Sequence, residues 1–189
     1  MRLNKENGYQ IISNFNTVAS QKDFSRNNLY RVMSVKTRAL ELDETELLYC
    51  KGAQIPGREN PTASVQFHGM EFRYPKSSVK YDGGSYTLKF WLDANGDLRR
   101  KFEEASRIIF NDQSNTGNWR VPGSTDQIVI AQLGFNMEPI KTYTLYGVCI
   151  TKIESFDSDF TGDGEAVEIS VTFTYNYYKT DGSEIVYSE

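Results

Sequence analysis

The chain has 189 residues, a formal net charge of −4 and a single histidine. That length suits one compact domain that needs no covalent staple, and the interspersed charge argues against a dedicated basic surface for phosphates. Residues 1–7 hold no apolar run of the signal-peptide kind, and no later stretch approaches the ~20 apolar residues of a membrane helix. A soluble cytosolic product with no membrane partner is therefore expected, in which Cys50 and Cys149 are two small buried thiols rather than a disulfide.

Twelve tyrosines, eleven phenylalanines and two tryptophans point to strands, on whose pleated faces flat rings pack well. Residues 1–27 are polar and rich in Asn, Ser and Gln, with scattered apolar positions at Ile11, Ile12 and Phe15. They read as an extended arm that orders against a neighbour, or as a frayed terminus. Residues 28–189 read as a single β domain. Its first strand is expected over 28–35, followed by a short helical turn around Leu47 and Leu48 that stops at Lys51-Gly52. Pro56-Gly57 signals a turn, and residues 65–74 and 85–92 each read as one strand.

Residues 97–110 are predicted helical, because Leu98, Phe102, Ala105 and Ile109 recur every three to four positions. The acidic and amide side chains of 93–97 can cap the start, and Arg99 and Arg100 stand four residues before Glu103 and Glu104. Two further strands are expected over 127–135 and 141–153. The last strand carries the cleanest pattern: Val167, Ile169, Val171, Phe173, Tyr175 and Tyr177 alternate with Glu168, Ser170, Thr172, Thr174 and Asn176. Period two over that run places one face in a core and the other in water. The expected fold class is mainly β, an antiparallel sandwich or barrel with one packed α-helix.

Little here suggests catalysis. His68 lies in a strand-like context without triad or zinc spacing, and the glycines form no phosphate loop. A calcium loop is matched in letters by Asp157, Asp159, Thr161 and Asp163, with Gly162 at position six and Glu168 at position twelve. Gly164 replaces the usual apolar eighth residue and the flanks read as strands, so Asp/Gly turn chemistry explains the same residues. Residues 93–104 fit worse, since Leu98 takes the place of the required glycine. No enzyme activity, metal or cofactor is expected.

Residues 50–57 (Cys50-Lys51-Gly52-Ala53-Gln54-Ile55-Pro56-Gly57), then Leu88-Lys89-Phe90-Trp91-Leu92-Asp93, the helix from Leu98 to Glu103, Ile128 to Leu133, Pro139 to Cys149 and Val171 to Tyr175 follow one another in an order that resembles the tail tube proteins of contractile-tailed bacteriophages. The resemblance spans about residues 45–178 and leaves the arm before residue 28 unexplained. It implies homohexameric rings whose inner strands join into one barrel and which stack into a tube in the virion tail. Its partners would be the sheath, baseplate, tail terminator and tape measure proteins, with DNA passing through the lumen. On that reading Glu168, Ser170, Thr172, Thr174 and Asn176 are candidate lumen residues, a row with no basic member to grip phosphates. Gln54, Ile55, Pro56, Gly57, Arg58, Lys76, Lys80 and Asp82, on two polar loops, are candidates for ring stacking. A baseplate tube-initiator or a type VI secretion tube protein shares the implied fold; a monomeric ligand-binding β-barrel is the alternative of another class.

Overall fold

The computed structural model describes residues 5–22, 24–81, 84–117, 120–156 and 164–181. In chain order its elements are α1 (Lys5–Lys22), β1 (Tyr30–Lys36), α2 (Glu44–Leu47), β2 (Cys50–Ala53), β3 (Thr62–Phe67), β4 (Met70–Pro75), β5 (Ser85–Trp91) and α3 (Asp97–Ile109). There follow β6 (Phe110–Asn111), β7 (Thr116–Gly117), β8 (Gln127–Leu133), β9 (Pro139–Tyr146), β10 (Cys149–Ile153), β11 (Glu168–Thr174) and β12 (Tyr177–Thr180). Two four-stranded sheets form the domain, in the orders β1-β8-β9-β12 and β10-β11-β5-β2, while β3-β4 and β6-β7 stand as two-stranded pairs. Every pairing among the described strands is antiparallel.

Alternation decides what each sheet buries. Val32, Val35, Ile128, Ile130 and Leu145 from the first sheet share one core with Leu88, Phe90, Ile150, Val171 and Phe173 from the second. Helix α3 closes that core with Leu98, Phe102 and Ala105, all on its apolar stripe. The Phe102 ring is fully buried and its centroid lies 5.3 Å from that of Phe90. Each such side chain contributes about 1.5–3 kcal/mol by leaving water. The opposite face of α3 carries ion pairs, Arg99–Glu103 at 2.7 Å and Arg100–Asp97 at 2.8 Å, and Lys101 reaches Glu46 of α2 at 2.7 Å.

The start of α3 is held by Asp93, whose carboxylate accepts the backbone N–H groups of Asp97 at 2.9 Å and Leu98 at 3.0 Å. These hydrogen bonds favour the ionised form and lower its pKa from the ordinary 3.8. A folded-state pKa below the unfolded one gives stability that is present above the unfolded value and lost as the pH falls through the folded value. Asp93→Ala is expected to lower the melting temperature at pH 7 by a few degrees, and the difference from the parent should shrink as the pH falls below the ordinary value of 3.8, as thermal melts across that range would show.

Five sequence expectations change. Residues 5–22 are helical, not extended: Ile11, Ile12, Phe15, Val18 and Ala19 fall on one side at helical spacing, a pattern outweighed in the sequence by the surrounding Asn and Ser. The helical turn ends at Leu47, and Lys51-Gly52 belongs to strand β2 rather than to a helix stop, because Cys50, Gly52 and Ala53 pair with β5. Residues 65–74 form two strands with a reversal at His68-Gly69, where φ is 48° and 79°. The run from Val167 to Tyr177 breaks after Thr174, so that Tyr177 opens β12 of the first sheet, and residues 141–153 also split, between β9 in one sheet and β10 in the other. The chain crosses over at Gly147, where φ is 69° and an added Cβ would sit 2.2 Å from Asn176 Nδ2. A side chain there would take a strained φ and displace Asn176, so the turn favours glycine.

The expected single packed helix is α3, and both cysteines are free and half-buried. Burial pushes the Cys50 thiol up to about 11 and raises that of Cys149 as well.

Candidate assembly surfaces

Strand β11 turns Ile169, Val171 and Phe173 inward, so Glu168, Ser170, Thr172 and Thr174 lie on the outer face of the second sheet. Opposite them on β5 stand Trp91, Lys89, Thr87 and Ser85 respectively. The Thr87 and Thr172 hydroxyls are 3.1 Å apart. Asn176 lies beyond the strand end, exposed and next to Gly147. Four of the five lumen candidates therefore form one row, and the fifth sits on the following turn.

Pairing with neighbouring strands adds basic groups that the β11 pattern alone could not reveal. Lys89 stands opposite Ser170, and Lys152 of β10 opposite Thr172. Lys51 of β2 forms an ion pair with Glu168 and lies 5.7 Å over the Trp91 ring. Lys152 pairs with Glu154 at 3.1 Å. The Glu154 pKa is lowered, first by the hydrogen bond from Lys152, then by one from Ser170, with Lys89 adding attraction. The face is thus mixed in sign, with Lys51 and Lys152 engaged by carboxylates.

The two stacking loops are the two legs of one projection. Glu59 and Lys80 exchange backbone hydrogen bonds of 2.8 and 2.9 Å, and Lys76 N–H donates to Pro61 O at 2.8 Å. Gln54 O accepts the Tyr86 hydroxyl at 2.6 Å, which ties the first leg to β5. The second leg is anchored by Tyr81, whose ring centroid is 5.1 Å from Tyr178 and 6.5 Å from Tyr175. Along the legs Ile55 and Arg58 are exposed, Gly57 is half-buried and Pro56 is buried; Lys76 and Lys80 are exposed, and Asp82 lies outside the described residues.

Between those legs the β3–β4 hairpin extends into solvent. Its register places Ala63, Val65 and Phe67 across from Tyr74, Phe72 and Met70, so one face is wholly apolar. The other carries Ser64, Gln66, Glu71 and Arg73. Phe67 is 63% exposed and Met70 62%. This is the surface that sequence reasoning missed, because 65–74 resembled one strand. The available signal was His68-Gly69: a two-residue hairpin turn needs two left-handed positions, which Gly takes freely and His more readily than most residues. A second missed surface is α1, whose Ile11, Ile12, Phe15 and Val18 are all exposed.

The remaining ionisable sites have structural partners or open exposure. Asp126 is buried and accepts the backbone N–H groups of Arg38 at 2.6 Å and Gly123 at 2.7 Å, which pins the loop before β8. His68 is an exposed turn residue, its ring edge-on to Phe67. Of the calcium-loop candidates, Asp157, Asp159, Thr161 and Asp163 lie outside the described residues, and Glu168 is engaged by Lys51. Among the described residues no group of three His, Cys, Asp or Glu side chains could hold a metal ion, and no helix is long and apolar enough to cross a membrane.

Solved structures share this fold at low identity. A chain of the six-fold symmetrised baseplate of the anti-feeding prophage matches with a TM-score of 0.61 and 13% identity, over 87% of this chain and 99% of that one. The tube-terminating cap of the same prophage gives 0.57 and 12%, over 86% and 93%. The sheath–tube complex of an extracellular contractile injection system, in the extended state, gives 0.55 and 12%, over 87% and 95%. No curated protein sequence matches the chain. A family model described as phage tail tube protein matches residues 5–181, which takes in α1 as well as both sheets. With a match over nearly its whole length, the chain belongs to the phage tail tube protein family.

Proposed function

We propose that this protein is the tube subunit of a contractile phage tail, forming six-membered rings that stack inside a sheath and conduct DNA. The observation that carries the reading is the β3–β4 hairpin, an apolar-faced ribbon left open to water on a family member whose fold recurs in sheath–tube, cap and baseplate assemblies. A surface of that kind belongs to an interface.

Ring closure would use the second sheet. Its outermost strands are β10 and β2, and three antiparallel pairings in between make those two run in opposite directions. The β2 edge of one copy can therefore accept the β10 edge of the next in antiparallel fashion, and a closed ring leaves no free edge. The row Glu168, Ser170, Thr172 and Thr174 then lines the lumen, with Asn176 at its rim. The hairpin and its legs, including Gln54, Ile55, Pro56, Gly57, Arg58, Lys76, Lys80 and Asp82, supply the contact between rings. Sheath, baseplate, terminator and tape measure proteins are the further partners of this reading.

Negative-stain electron microscopy of the purified chain tests it: hollow tubes or six-membered rings are expected, and a monomer at high concentration overturns it. A baseplate tube-initiator is the second reading, favoured by the likeness to a baseplate chain. An initiator would give single rings that do not extend.

DNA passage has its own test. Lys51 and Lys152 are held by Glu168 and Glu154, so few cations are free to bind phosphates. In assembled tubes, Glu154→Gln with Glu168→Gln is expected to create DNA retention at low salt that fades steeply towards ~0.2 M. Equal retention by parent and variant tubes in a filter-binding assay would contradict this lumen assignment.

A further inference from the structure

Two elements have apolar faces that stay largely open to solvent among the described residues, with the Phe24 ring 5.9 Å from Phe15 at the side of the first. The first is α1, whose 18 residues include Gly8, Asn7, Asn14, Asn16, Ser13, Thr17 and Ser20, all weak helix formers. A helix of that length and composition is marginal alone and draws its stability from packing its apolar side. The second is the β3–β4 hairpin, and an isolated two-stranded ribbon needs a third strand or a helix against its apolar face.

We infer that the apolar stripe of α1 in one copy packs on the apolar face of the β3–β4 hairpin in another. This deepens the self-assembly reading of the hairpin and rests on it. Ile11, Phe15 and Val18 would meet Val65, Phe72 and Met70, giving each marginal element what it lacks.

Size, charge and symmetry all favour a second copy as the occupant. Each face leaves on the order of 500 Å² of apolar surface open, and the two together reach the lower bound for a specific interface, about 1,000 Å². Neither face would bury a charge. The only charged residues of α1 are Lys5 and Glu6 at one end and Lys22 at the other, and Glu71 and Arg73 lie on the reverse of the hairpin, 3.4 Å apart. Within one molecule both faces stay exposed, with Phe15 at 58% and Phe72 at 48%. Two different patches that fit each other make a head-to-tail contact, the kind that propagates through many copies.

The test mixes two full-length single variants, Phe15→Cys and Phe72→Cys, oxidises them with copper–phenanthroline and reads non-reducing gels, with micrographs of the same sample. Cys50 and Cys149 are half-buried with raised pKa values, so the parent protein treated alongside sets a low baseline. A disulfide-linked dimer at least tenfold more abundant in the mixture than in either variant alone is expected. Val18→Cys with Val65→Cys, milder changes in size, should give the same result. An equal yield from Phe15→Cys alone would mean that two α1 helices pair, and baseline yield from both mixtures would mean that α1 does not meet the hairpin of another copy; either overturns the inference. Tubes seen without the cross-link leave the tube reading intact, whereas loss of both tubes and cross-link removes the two together.

Discussion

Replacing Phe67 and Phe72 together by serine is expected to abolish tube formation while leaving the domain folded. Both rings lie on the apolar face of the hairpin and touch none of the shared core. Exposed substitutions of this kind change monomer stability by about 0.5 kcal/mol or less, a shift of roughly 2 °C in melting temperature. Burial of each ring against a neighbouring copy is worth about 1.5–3 kcal/mol. Losing both should weaken each contact by roughly 10²- to 10⁴-fold, and a tube repeats that contact at every subunit. Sedimentation velocity and micrographs would measure the assembly, with a thermal melt as the folding control. Tubes that persist in the double variant would show that the hairpin face is not the joint.

The second large effect lies in the core. Phe102→Ala should cost about 3–5 kcal/mol, because it removes a fully buried ring and leaves a cavity beside Phe90 that two sheets and a helix cannot all close. For a domain of this size that corresponds to a fall in melting temperature of roughly 10 °C or more. Marginal stability makes such a loss a large part of the total. Tube yield should fall too, but as a consequence of unfolding, which separates this variant from the hairpin pair. A fall of under about 3 °C would mean that α3 is not part of the cooperative core.

Much of the fold was readable in the residues. The four-spaced stripe of α3 and the capping residues before it obey local rules and form as expected, whereas the period-two run holds only over β11 and breaks after Thr174. The failures share a cause. Strand propensity does not say where an apolar run turns back, so two hairpin arms passed for one strand at 65–74, and a change of sheet passed for continuation at 141–153. Both breaks sit at left-handed residues, Gly69 and Gly147, whose meaning depends on what surrounds them. The α1 helix failed differently: its stripe is visible, but among the described residues it stays mostly exposed, with only the Phe24 ring near Phe15.

The sequence by itself determined the β-rich class, the helix that closes the core and the inward and outward rows of the last strand, because each follows from side-chain spacing along a short stretch. It also carried the family, through the order of weak motifs along the chain. Only the tertiary structure decided which strands share a sheet, and with that the lysines facing Ser170 and Thr172 and the joining of two polar loops into the legs of one hairpin. Those are relations between residues far apart in the chain. Strand pairing sets them through hydrogen bonds that every peptide unit can make, so the local pattern of side chains cannot specify the partner.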